Sequence, residues 1–269
     1  MKNYFENKIS YNQISFHLTD KPTIDEREIH PYNEILLYIE GDVELLSANG
    51  QRNLKNSSII TVPEETYHFF KTKENQGFAR LKISFPSEIM TNTPLTRIMS
   101  EMRIVDNLRD DLKLIFDKLC QVMATSDPYT PFYAYSAFLM LVSELDKNCV
   151  QEETLFQTEP NQIMTSLTNY ISANISAELD INSLANVMHI SPSGITHLFK
   201  KEFGIPIHKY IIQKRLVYAK RLIGEGNQPT KIYADAGFKD YSSFYKAYLN
   251  YFGYSPSKEN TKNARPRFI

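Results

Sequence analysis

The chain has 269 residues, 42% of them apolar and 23% charged, with two cysteines and no tryptophan. That length has room for two domains and that balance is an ordinary globular one; it excludes a disulfide scaffold, and no run approaches the ~20 apolar residues that cross a bilayer. The net charge of −1 hides a division: residues 1–159 hold 16 Lys+Arg against 24 Asp+Glu, and residues 160–269 hold 14 against 7. An acidic half is followed by a basic one, the footprint of a module that meets a polyanion.

The N-terminal MKNYFENKIS has no apolar h-region, so no secretory signal is expected. Cys120 and Cys149 make no close-spaced metal motif and fit a reducing, cytoplasmic setting. Residues 9–85 read as short strands: ISYNQISFHL, EILLYIEGDVELL, SSIITVP and FARLKISF are rich in β-branched and aromatic residues. Lys21-Pro22, Glu40-Gly41-Asp42, Asn49-Gly50 and Asn75-Gln76-Gly77 separate them, and Asn-Gly is the strongest hairpin signal. Many short strands predict an antiparallel barrel or sandwich.

From Pro94 the period changes. Leu108, Leu112, Ile115, Phe116, Leu119 and Met123 make one face of a helix over 106–123, and Asp127-Pro128 breaks it. A second helix over 130–147 has Phe132, Tyr135, Phe138, Leu139, Val142 and Leu145 on its apolar side. These helices serve either as core against the strands or as a contact between copies. Residues 148–162 are polar, rich in glutamate and without period, and read as a linker.

Beyond the linker the pattern is helical. Ile181, Leu184, Ala185 and Met188 form one short apolar face that stops near His189. Ser191-Pro192 opens the next helix, with serine suited to the N-cap and proline to the first turn. Ile195, Leu198 and Phe199 form its apolar side, and Gly204 ends it. Short helix, tight turn, second helix is the helix-turn-helix plan. The outward face carries Ser193, Gly194, Thr196, His197, Lys200 and Lys201: small and polar early, basic later. That suits a helix in a major groove, and equally a solvated surface helix. Then the pattern repeats. Phe199, Phe203 and Gly204 return as Tyr248, Phe252 and Gly253, 49 residues later. Ile232, Ala236 and Phe238 form the short helix, Gly237 the turn, and Tyr241-Ser242-Ser243 enters a helix with Phe244, Ala247 and Tyr248 inward. Tyr210, Ile211, Leu216, Ala219 and Leu222 stripe a connecting helix. About 20 helical residues span ~30 Å, close to the ~34 Å turn of B-DNA.

Residues 163–258 resemble the DNA-binding domain of AraC/XylS-type transcription regulators. The likeness rests on SLANVMHISPSGITHLFKKEFGIPIHKYIIQKRLVYAKRLI and on GFKDYSSFYKAYLNYFGYSP, whose signature positions are Gly237-Phe238, Phe244, Tyr248, Phe252-Gly253 and Pro256. Tyr233, His189 and the Tyr248-Leu249 pair depart from the family's usual alanine, glycine and Phe-basic pair. The resemblance implies base-facing roles for Ser193, Gly194, Thr196 and His197, and for Asp240, Tyr241, Ser242, Tyr245 and Lys246. Lys200 and Lys201 become phosphate contacts.

HPYNEILLYIEGDVEL at 30–45 and VPEETYHFF at 62–70 resemble the cupin-type sensor barrel of the same regulators. The resemblance implies an α+β chain: a cupin-like antiparallel β-barrel over 1–90, helices over 91–147 that contact a second copy, the linker, tandem helix-turn-helix units over 163–259, and a tail over 260–269. It implies a small-molecule effector, a sugar among the candidates, in a pocket drawn from His30, Tyr32, Glu34, Tyr38 and His68. It implies a sequence-specific regulator, more often an activator, that meets double-stranded DNA and RNA polymerase as a homodimer, with no cofactor and no membrane. A metal-dependent cupin enzyme is the alternative, with His30, Glu34 and His68 as ligands. Tyr32 stands where a His-x-His pair would place its second imidazole, and tyrosine is a poor substitute. No metal and no catalysis are therefore expected, and His30 and His68 are expected to hydrogen-bond within the barrel or line a pocket.

Overall fold

The structure, a computed structural model, describes residues 5–21, 29–47, 50–72, 77–125, 127–148 and 161–259. The chain divides into two compact units, Met1–Glu159 and Pro160–Ile269.

The N-terminal unit opens with β1 (Glu6–Tyr11) and β2 (Ile14–Thr19), then β3 (Asn33–Glu40), β4 (Val43–Ser47), β5 (Gly50–Asn53), β6 (Ser58–Val62), β7 (His68–Thr72) and β8 (Ala79–Phe85). A short helix α1 (Leu95–Ile98) leads to β9 (Arg103–Val105), and α2 (Asp110–Met123) and α3 (Thr130–Asn148) complete the unit. Every described pairing is antiparallel. One sheet runs β1-β2-β8-β3-β6-β9 and a second runs β5-β4-β7, so the described strands form two sheets and not one closed ring.

Three expectations change. The stretch ISYNQISFHL is two strands, because Asn12 and Gln13 both sit in the left-handed region (φ 52° and 67°) and close a tight hairpin. The first helix begins at Asp110 and not at 106, because residues 103–105 pair with β6 as an added strand. Asp106 then turns inward, paired with Arg52 and accepting from Ser58 Oγ at 2.5 Å. Along α3, Phe132 and Leu139 are exposed, 55% and 51%, and Ala134, Ala137 and Leu141 are buried in their place. The Asn-Gly hairpin loop and the linker fall largely outside the described residues.

β3 explains its own apolar run. Its side chains alternate between two faces, and both faces are covered. Ile35 and Leu37 join a core with Phe116, Phe138 and Leu141 of the helices. Leu36 and Tyr38 join a core with Val43, Leu45 and Phe70 of the second sheet. The same alternation sends Glu34 toward the second sheet.

The C-terminal unit is helical in its described residues: α4 (Gln162–Ala173), α5 (Ile181–Val187), α6 (Pro192–Phe203), α7 (Ile207–Gly224), α8 (Pro229–Ile232) and α9 (Tyr241–Phe252). The 18 residues of α7 span ~27 Å at ~1.5 Å each. Buried residues lie all round α7, Tyr210 toward the first pair of helices and Leu216, Ala219 and Ile223 toward the second.

Candidate functional site

The two helix pairs of the C-terminal unit are built alike. α5 ends at Val187 with Met188 as its C-cap, and His189 takes φ 56° while Ile190 N–H donates to the Ala185 carbonyl at 3.0 Å. In the second pair Gly237 takes φ 80° and Phe238 N–H donates to the Tyr233 carbonyl at 2.9 Å. Both turns are the left-handed stop that satisfies orphan carbonyls. Gly204 and Gly253 end α6 and α9 in the same conformation, φ 67° and 75°. The aromatic echo is a packing echo: Phe199 and Phe203 lie 4.3 Å apart, Tyr248 and Phe252 4.5 Å.

The candidate base-reading side chains sit at the starts of α6 and α9. Ser191 caps α6, its Oγ accepting from Gly194 N–H at 3.0 Å. A Cβ at 194 would stand 2.9 Å from that oxygen, so the glycine makes room for the cap. Ser193, Thr196 and His197 are exposed, and Thr196 Oγ1 donates to the Pro192 carbonyl at 2.8 Å, which leaves its lone pairs outward. Lys200 and Lys201 are exposed in the last turn. On α9, Ser242, Tyr245 and Lys246 are exposed and Tyr241 is half-buried among Tyr233, Phe244 and Tyr245. Asp240 is the N-cap, accepting from Ser243 N–H and from Ser243 Oγ, both at 2.8 Å. Its carboxylate is held by the helix start, and those bonds keep its pKa below the usual carboxylate range.

The pairs are also tied side to side. Arg215 of α7 donates to the Ile175 carbonyl at 3.1 Å and the Ala177 carbonyl at 2.7 Å, in the segment between α4 and α5. Ser176 Oγ donates to the Asp235 carbonyl, and Lys239 pairs with Glu178 at 3.0 Å. The loop before the first pair thus meets the turn of the second. Sequence reading missed this brace, since nothing in Arg215 distinguishes it from the other bases of α7.

In the N-terminal unit, four of the five candidate pocket residues come together. Residue 30 precedes β3 and residue 68 starts β7; the Glu65 N–H donates to the His30 carbonyl at 2.9 Å and draws the two segments together. His30 and His68 rings meet edge to face at 5.0 Å, and Tyr32 stacks flat on His30 at 4.1 Å. Ligand atoms of His30, Glu34 and His68 all lie within 4.8 Å of one another, and all three residues are buried. Burial holds both imidazoles down to about 3, so both are neutral. Lys82, unremarked in the sequence, lies 3.8 Å from the Glu34 carboxylate, brought there by the pairing of β8 with β3. Tyr38 is four residues farther along β3, ~13 Å by strand rise, and packs on Phe78 instead. Cys120 is a half-buried thiol that burial pushes up to about 12, an inert one.

A model described as an AraC-like ligand binding domain matches residues 17–142, and one described as a helix-turn-helix domain matches residues 184–261. The chain is similar to the probable transcriptional regulator LumQ of Photobacterium leiognathi, 25% identical over 236 residues that make up 85% of this chain and 89% of that one. It is similar to the Msm operon regulatory protein of Streptococcus mutans, 24% identical over 88% of this chain and 85% of that one. It is similar to the arabinose operon regulatory protein of Escherichia coli, 31% identical over 91 residues, 33% of this chain and 31% of that one. With a ligand-binding unit followed by a helix-turn-helix unit, and regulators matching along most of its length, the chain belongs to the AraC family of transcription regulators.

Proposed function

We propose that this regulator reads a specific duplex sequence through the starts of α6 and α9. A small molecule held in the N-terminal unit sets how well it does so. The observation that carries the reading is the second helix pair, built on the same stops as the first and braced to it through Arg215. Ser193, Thr196, His197, Ser242, Tyr245 and Lys246 supply exposed hydrogen-bonding groups toward base edges. Lys200 and Lys201 supply phosphate neutralisation, which adds affinity and salt dependence without sequence information. Asp240 acts by setting the start of α9 and Gly194 by making room for the α6 cap.

The effector must bind one conformation better than the other, or it shifts nothing; sugars are the first class to screen. Activation, with RNA polymerase as the downstream contact, is the expected output, in the cytoplasm. Among the described residues no helix is long and apolar enough to cross a membrane. The exposed Phe132, Tyr133, Leu139 and Met140 of α3 support a homodimer contact, because Leu139 and Met140 return to the face of Phe132 and Tyr133 two turns later. A metal-dependent catalyst is the second reading, favoured by the meeting of His30, Glu34 and His68. A catalyst turns substrate over without DNA, whereas a sensor changes DNA affinity with its ligand. The test is a gel shift on the DNA upstream of the protein's own gene and on unrelated DNA, at two salt concentrations. Preference for the upstream DNA that survives the higher salt supports the reading; equal retention of both DNAs at both salts sinks it.

A further inference from the structure

The least explained chemistry in the molecule is the cluster of His30, Glu34 and His68. Each imidazole spends its Nδ1–H on a backbone carbonyl, His30 on Tyr32 at 2.7 Å and His68 on Thr66 at 3.2 Å. A carbonyl only accepts, so each Nδ1 carries the hydrogen and each Nε2 carries a lone pair. Among the described residues, His30 Nε2 and both carboxylate oxygens of Glu34 have no hydrogen-bond partner, and all three atoms are buried. Buried acceptors are normally paired, yet none of the described residues donates a hydrogen bond to these three atoms. Lys82 gives a countercharge at 3.8 Å, too far to donate a hydrogen bond to the carboxylate. One Lewis acid would satisfy all three groups at once.

We propose that His30, Glu34 and His68 form a divalent transition-metal site, with the two Nε2 atoms and a Glu34 oxygen as ligands. Two imidazoles and one carboxylate suit Zn2+, Fe2+, Co2+ or Ni2+; Mg2+ and Ca2+ want oxygen ligands. Bonds of ~2.1 Å hold two ligands of one ion at most ~4.2 Å apart, and ligand atoms of the three residues already lie within 4.8 Å of one another, so small side-chain rotations complete the site. The carbonyl behind each imidazole is the outer-shell partner that fixes tautomer and ring orientation, and the flat Tyr32 ring holds His30 from one side. Tyr32 is therefore a wall, and the site does not need it as a ligand. Three protein ligands leave at least one position for water or an oxygen of an effector. The ion names the ligand chemistry of the sensor unit, so its regulatory meaning rests on the regulator reading, whereas its binding does not.

The test uses the full chain, stripped with chelator and titrated with Co2+, then Zn2+, with Mg2+ as control. Expected are one Co2+ per chain with visible bands, displacement by Zn2+, and an unfolding temperature raised by Zn2+ and not by Mg2+. Glu34→Gln and His68→Gln should each lose more affinity than the ~10–100-fold that an outer-shell partner costs. Circular dichroism checks that each variant folds. Should neither fold, X-ray absorption on the cobalt-loaded wild type decides: two imidazoles with oxygen support the site, and no imidazole overturns it. Absence of stoichiometric binding, or affinity unchanged in both folded variants, also overturns it. A gel shift with and without Zn2+ reads the other proposal separately: sequence-indifferent DNA binding alongside an intact metal site removes the regulator reading and leaves the ion.

Discussion

Gly237 lies directly against Arg215: a Cβ at 237 would stand 2.5 Å from Arg215 Nε and 2.5 Å from the Ile175 carbonyl oxygen. The turn of the second helix pair therefore closes on the arginine that braces the first. Gly237→Ala meets a left-handed backbone, the Ile175 backbone carbonyl and a guanidinium that must give up its hydrogen bonds to move, and should cost about 3 kcal/mol. Gly253, at φ 75°, has none of the described residues within 4 Å of its added Cβ, so Gly253→Ala should cost only about 1 kcal/mol. Denaturant unfolding of the two variants checks the difference; equal losses would mean the Arg215 contact carries no energy.

His189 holds the position in the first turn that Gly237 holds in the second, at φ 56° with an exposed side chain. His189→Gly should release that strain and stabilise the chain by ~1 kcal/mol, seen as a higher unfolding midpoint. A drop would show that the imidazole makes a compensating contact.

Asp180 and Asp240 cap α5 and α9, and hydrogen bonds from Ser183 and Ser243 hold each carboxyl below its ordinary pKa. A depressed carboxylate stabilises the fold above its unfolded value of ~3.9, and that contribution drains away as pH falls through the folded value. Helicity measured on acidification should hold to about pH 4 and fall below it. Asp240→Asn keeps a capping oxygen without the proton, so its loss of helicity should depend less on pH across that window.

His197 and Lys200 are both exposed on α6, one near its start and one in its last turn. Replacing His197 with alanine should change which base is preferred at one operator position, by ~1–3 kcal/mol of discrimination. Replacing Lys200 should weaken every sequence alike and lower the salt slope by about 1. Binding measured over an operator library at several salt concentrations separates them; uniform loss for the His197 variant removes it from the reading face.

Leu139 and Met140 are exposed on α3, 51% and 59%. Leu139→Glu with Met140→Glu should turn the proposed homodimer into a monomer in sedimentation, with a lower unfolding temperature as the partner's stabilisation is lost and with helicity retained by circular dichroism. Unchanged mass would move the contact elsewhere.

Much of the C-terminal unit was legible because its signals are local. Ser191-Pro192, Gly204 and Gly253 mark helix ends through backbone chemistry that each residue carries with it, and the period of 3.6 names the buried face. The N-terminal unit was legible as strands and less so as a sheet. β9 is three residues long and exists only because β6, some 40 residues earlier, offers it an edge. α3 is apolar on more than one side, so which residues it buries depends on where the sheet lies, and period alone could not separate the exposed Phe132 and Leu139 from the buried Phe138 and Leu145.

What the sequence determined by itself was the kind of unit: a strand-rich acidic half, a duplicated basic half, and the residues at the starts of α6 and α9. Tertiary structure alone decided the encounters. Arg215 met Gly237, Lys82 met Glu34, and His30 met His68 because antiparallel pairing and helix packing bring distant segments together. Side-chain chemistry names which groups can interact, and only the folded chain sets the distance on which their interaction depends.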